Sequence, residues 1–174
     1  MKKHFENITD RRQPWKTVHK LHEIVIMTLI ALMCGFKYWE EIADFSREKT
    51  DWYREKLGLE LENGVASHDT FQRIFEMVKP DEMEKAFRSW VAEAVELTDG
   101  DIVPIDGKVV RGSRDKKKRA ICMVSAFSTA NRVVLGQMKT AEKSNEITAI
   151  PKLIELLELK GCIVTIDAAG CQKK

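Results

Sequence analysis

At Thr98-Asp99-Gly100-Asp101 the hydrophobic period of this chain changes, and the change limits what each half can become. Upstream, apolar residues recur every three or four positions, the period of a helix packed on one face. Downstream, short runs rich in Val and Ile are separated by turn residues, the pattern of strands. The split predicts an α+β chain, with a helical domain over residues 1–98 and an α/β domain over residues 99–174.

In the first half, Leu21, Ile24, Val25, Thr28, Leu29 and Leu32 form one stripe, while Ile26, Met27, Ile30 and Met33 fill the other side. A helix apolar all round is enclosed by other helices. Its longest apolar run, Ile24 to Met33, would reach only about 15 Å, half of a bilayer core. That predicts a buried helix and no membrane anchor. Gly35 ends it, and YWEEIADFSREKTDWYREKLG follows as one broken helix or two short ones. Ser67 is placed to cap HDTFQRIFEMV, and Pro80 with Asp81 and Glu82 opens a further helix running to Leu97. Trp39, Trp52, Phe71, Phe75, Phe87 and Trp90 fall at helical spacing and are expected in the core.

In the second half, DIVPIDGKVV, AICMVSAFS and RVVLGQM read as three strands, EITAIPKLIELLEL as a helix and CIVTID as a fourth strand. Ala130-Asn131 suits a hairpin between the second and third. The order β-β-β-α-β predicts an antiparallel meander, then a right-handed crossover that sets the fourth strand parallel to one of the others. Pro104 is a difficulty: it sits inside the first strand, and a proline cannot donate to a ladder.

The 174 residues carry a net charge of only +2, but the charge is unevenly spread. Residues 1–20 hold six Lys or Arg against two acids, and residues 108–119 hold seven against one. Two basic segments on a nearly neutral chain suit a surface that meets phosphate in chosen places. Lys2, Lys3, Arg11, Arg12 and Lys16 would act as an arm on DNA or as a flexible terminus. Lys108, Arg111, Arg114, Lys116, Lys117, Lys118 and Arg119 would hold DNA phosphates or form a solvated loop. The four cysteines lack paired C-x-x-C spacing, so a zinc ribbon is not expected and reduced thiols are. The amino terminus lacks a secretory pattern, and the expected location is the cytoplasm.

Two strands end in aspartate, PID at Asp106 and TID at Asp167. Parallel neighbours that end together would bring both acids to one sheet edge, where like charges repel unless a cation lies between them. Hard oxygen ligands select Mg²⁺ or Mn²⁺, the ions of phosphodiester chemistry. Aspartates at strand ends also serve as turn formers, and spacing alone does not choose between the roles. Other motifs fail on their own terms. His22-Glu23 lacks a second histidine four residues on, His19 and His22 lack a third ligand and are expected at the surface, and Ser67-His68-Asp69 is explained by a helix cap.

YWEEIADF, SHDTFQRIF, IDGKVVRGS and, above all, EKSNEITAIPKL running into KGCIVTIDA resemble the H-repeat-associated insertion-sequence transposases, a branch of the DDE transposases. The resemblance covers nearly all 174 residues. It implies a helical domain followed by an RNase H-like domain, here incomplete, whose two aspartates and a downstream glutamate hold divalent metal for DNA cleavage and strand transfer. The two aspartates match Asp106 and Asp167. The sequence ends at Lys174, ahead of any matching glutamate, so the expectation is a chain inactive in catalysis. Ala169 stands where members commonly have methionine. Implied partners are transposon-end DNA and a second copy or an intact transposase. The alternative is a non-catalytic DNA-binding or regulatory module that competes with an intact transposase.

Overall fold

A computed structural model of the chain describes residues 1–110, 113, 121–140 and 146–167. It divides into two compact units, Met1–Trp90 and Val91–Lys174. Among the described residues no helix is long and apolar enough to cross a membrane.

The first unit is helical: α1 (Lys2–Phe5), a 3-10 turn at Pro14–Lys16, α2 (Leu21–Met33), α3 (Trp39–Glu48), α4 (Thr50–Leu57), α5 (His68–Met77) and α6, which spans Pro80–Ala94. Helix α2 packs against α1, α3 and α5. Its Ile24, Val25 and Ile26 are fully buried, and each such side chain contributes about 1.5–3 kcal/mol on leaving water. The enclosure stops at Ala31: Leu32 and Met33 are exposed. Two helices are expected in 38–58 or one broken one, and α3 and α4 are the two. Glu41 accepts hydrogen bonds from the N–H groups of Lys37 (3.3 Å) and Tyr38 (3.4 Å), which fastens the start of α3. Gly58, at φ +65°, ends α4 by turning the chain so that the N–H of Leu59 reaches the Tyr53 carbonyl at 3.3 Å. Ser67 occupies the cap position of α5, but its hydroxyl meets that of Thr70 at 3.2 Å.

Several expectations are corrected in this unit. The beginning of the chain is packed on the helical core and is not a flexible terminus. Phe5 and Ile8 are buried in the helical core, Lys2 pairs with Glu60 at 3.2 Å, and Arg12 pairs with Asp10 at 2.6 Å. His22 is not a surface histidine: its side chain is only 15% exposed, with Nε2 4.0 Å from Glu6. Trp52 is not core but 41% exposed on α4, since Tyr53 takes the inward position. Helix α6 stops at Ala94, short of Leu97.

The second unit holds β1 (Ile102–Val109), β2 (Cys122–Ser128), β3 (Val133–Lys139), α7 (Glu146–Leu157) and β4 (Ile163–Ile166). The sheet order is β3-β2-β1-β4, antiparallel at β3/β2 and β2/β1 and parallel at β1/β4. The meander and the parallel return are therefore as the strand pattern predicts. Helix α7 lies against β2 and β3, and Leu153 is fully buried with Val103, Val124 and Ala126. Facing the other way, Ile102, Phe127 and Ile163 are exposed.

The pairing resolves the problem of Pro104. Strand β1 pairs with β4 through Ile102–Ile105 and with β2 through Ile105–Val109. Pro104 therefore lies where β1 has one ladder neighbour, so its missing N–H interrupts no bond to β2.

Candidate metal centre

The parallel register pairs Ile102 with Ile163, Val103 with Val164, Pro104 with Thr165 and Ile105 with Ile166. Carried one residue further, it sets Asp106 beside Asp167, on strands about 4.8 Å apart. Both aspartates are exposed. The alternation that turns Val103 and Ile105 into the core turns Asp106 to the other face, so each acid ends a strand without entering the apolar interior.

The same row continues across the sheet. Asp106 is the partner of Ser125 on β2, and Ser125 is the partner of Gln137 on β3. Gln137, Ser125, Asp106 and Asp167 thus form a polar line on the face opposite the core. Ser125 and Gln137 escaped sequence reasoning. Ser125 carried a signal, as a polar residue at period two between Val124 and Ala126, but only the antiparallel register shows that it lines up with an aspartate.

Chemically, two adjacent exposed carboxylates repel, and a divalent cation between them removes the repulsion. Hard carboxylate oxygens fit Mg²⁺ or Mn²⁺, and Mg²⁺ retains several waters when the protein supplies one or two carboxylates. Among the described residues, no group of three or more His, Cys, Asp or Glu side chains is arranged to hold an ion. Of the basic residues expected beside it, Lys108 is exposed on β1, two positions after Asp106. Arg111, Arg114, Lys116, Lys117, Lys118 and Arg119 lie outside the described residues, as does Ala169.

In the helical unit the basic residues near the amino terminus separate into two groups. Lys2 and Lys20 are taken up by Glu60, and those two ammonium groups hold its carboxyl at about 2, well below the usual carboxylate range. Arg11, Arg12, Lys16, His19 and Arg73 instead line a cavity of about 590 Å³.

Residues 2–91 match a family model described as DDE_Tnp_1-associated, and residues 97–174 match the model of the transposase DDE domain. YncI of Escherichia coli O157:H7, named as a transposase, is 51% identical over 168 residues, which are 95% of this chain and 43% of that protein. The H repeat-associated YhhI of E. coli K12 is 44% identical over 172 residues, 98% of this chain and 45% of its own length. YbfD of the same strain, also H repeat-associated, is 43% identical over 172 residues, 98% of this chain and 67% of its own length. The chain therefore spans less than half of YncI and YhhI. No solved structure matches it.

Proposed function

Since this chain belongs to the DDE transposase family, we propose that it acts on transposon-end DNA in the cytoplasm, with Asp106 and Asp167 as ligands of Mg²⁺ or Mn²⁺ in an RNase H-like domain over residues 99–174, behind a helical domain over residues 1–98. The observation that supports this reading is the β1/β4 register, which pairs Ile105 with Ile166, the residues that immediately precede Asp106 and Asp167. The strand order β3-β2-β1-β4, with only β4 parallel, supports the fold assignment.

The role of the protein in such a site is to hold and to orient. Strand β1 is anchored on both sides and carries Asp106, while β4, docked on β1, carries Asp167 to the same level. The Ser125 hydroxyl and the Gln137 amide continue the row and can donate hydrogen bonds to a carboxylate or a DNA phosphate. Lys108, and beyond it Arg111, Arg114, Lys116, Lys117, Lys118 and Arg119, would neutralise phosphates close to the acids. When bound, divalent ions supply activation of the attacking water or DNA 3′-hydroxyl and stabilisation of the leaving oxygen.

Two carboxylates suffice to bind one ion weakly but not to align two for in-line attack. Asp106 and Asp167 are therefore expected to bind Mn²⁺. Electron paramagnetic resonance titration should show Mn²⁺ binding that Asp106→Asn and Asp167→Asn each weaken tenfold or more. Equal Mn²⁺ binding in both variants would refute the site. The cavity rich in arginine and lysine favours a second reading, a DNA-binding or regulatory module that competes with an intact transposase. On that reading Asp106→Ala binds inverted-repeat DNA as tightly as the wild type.

A further inference from the structure

The helical unit contains a basic cavity that the metal chemistry leaves unused. Its rim is built by the segment around the 3-10 turn, which brings Arg11, Arg12, Lys16 and His19, and by α5, which brings Thr70 and Arg73. No carboxylate is among the residues that line it.

The charges are not equivalent. Arg12 is committed to structure: it grips Asp10 at 2.6 Å and donates to the backbone carbonyl of His19 at 2.8 Å, closing the loop that forms one wall. The guanidinium of Arg12 also holds the Asp10 carboxyl below its usual range, so that acid stays charged and spent on Arg12. Arg73 is positioned by neutral groups, the Thr70 hydroxyl at 3.2 Å and the Asp69 carbonyl at 3.3 Å. Arg11 lies within the electrostatic reach of the Glu82 carboxylate, while Lys16 and Arg73 are exposed on the cavity rim. Exposed cations clustered around one concavity raise the local concentration of anions there.

Beside the cavity, Trp15 is 78% exposed between Pro14 and Lys16. A tryptophan left in water next to a cationic rim offers a stacking face where the cations offer phosphate contacts, and nucleic-acid sites combine the two.

From these observations we infer that the cavity is a phosphate-binding subsite for DNA, in which Arg11, Lys16 and Arg73 contact the backbone and Trp15 stacks on a base or sugar. The inference rests on the reading of the chain as a DNA-acting protein, and it assigns part of that contact to a place that needs no metal.

The test is a salt titration of binding between the full 174-residue protein and a transposon-end duplex in EDTA. Replacing Arg11, Lys16 and Arg73 together by Gln should weaken binding by about an order of magnitude or more, and should reduce the slope of log K against log salt by about one for each lost contact. Lys16→Gln alone, on an exposed turn, should lower the slope by about one if the triple variant fails to fold. Trp15→Ala should weaken binding with the slope unchanged. A folded triple variant with wild-type affinity and slope would overturn the subsite, and so would saturation by inorganic phosphate at the same concentrations as the duplex. Mn²⁺ binding at the aspartates is read separately, so either conclusion can fail without the other.

Discussion

Glu23 shows how much one side chain decides in this molecule. It sits on the apolar helix α2, is only 3% exposed, and accepts hydrogen bonds from the N–H groups of Glu60 and Leu61, both at 2.9 Å. Leu61 is held at φ +45°, a conformation a leucine adopts only when its surroundings demand it. Removing the carboxylate strands those donors. Glu23→Ala should therefore destabilise the protein by roughly 1–3 kcal/mol per stranded N–H, read by urea denaturation, and Glu23→Gln, which keeps one oxygen, should cost less. Its neighbour His22 predicts a pH effect. Burial pushes the imidazole below its ordinary 6.5, opposed by Glu23 and Glu6 and reinforced by Lys2 and Lys20. Between the lowered folded value and 6.5 the unfolded chain binds a proton that the folded chain does not, so stability falls as the pH drops through that window. The melting temperature should decline below about pH 6.5, and His22→Gln should flatten that part of the profile. An acid and a histidine beside an apolar run were visible in the sequence, but the partners of Glu23 lie 37 and 38 positions away and that of His22 is Glu6 on the far side of the 3-10 turn.

Among the elements, β1 carries the most meaning, because it joins a proline, a core face and an aspartate in one strand. Its inward residues Val103 and Ile105 are buried, as is Leu153 on α7, which lies against β2 and β3, and Leu153→Ala should cost roughly 2–5 kcal/mol, measured by thermal or chemical melting. The turn before β4 is set by Gly161, at φ +82°, whose carbonyl accepts from the Gly100 N–H at 2.9 Å. A methyl group there would both strain the backbone and collide with the Asp99 carboxylate. Gly161→Ala should thus lower stability by about 1 kcal/mol or more and, by displacing the start of β4, weaken Mn²⁺ binding at Asp167. Strand and helix identities were readable here because period two and period 3.6 are unmistakable in Val/Ile runs and in ITAIPKLIELL. Which residues of β1 face which neighbour was not readable, since a one-residue slip would exchange the faces.

For the molecule as a whole, two compact units, each with its own core, account for a chain that changes period once. Residues 1–94, which keep α6 whole, should give a helical circular dichroism spectrum and a cooperative melt, since Ile24, Tyr53, Phe71 and Ile74 are buried within that stretch. A fragment that melts without a transition would show that the helical core depends on the rest of the chain.

By itself, the sequence determined the change from helix to strand at residues 98–101, the order of the elements and the two strand-end aspartates, because each is written in local periodicity and turn chemistry. Only the tertiary structure decided that Ile105 and Ile166, just before the two aspartates, are register partners, that Asp106, Ser125 and Gln137 share a row, that Lys2 and Arg12 are spent on ion pairs, and that Arg11, Lys16 and Arg73 line one cavity. Those facts depend on pairing register and on contacts between distant residues, and no local pattern encodes either.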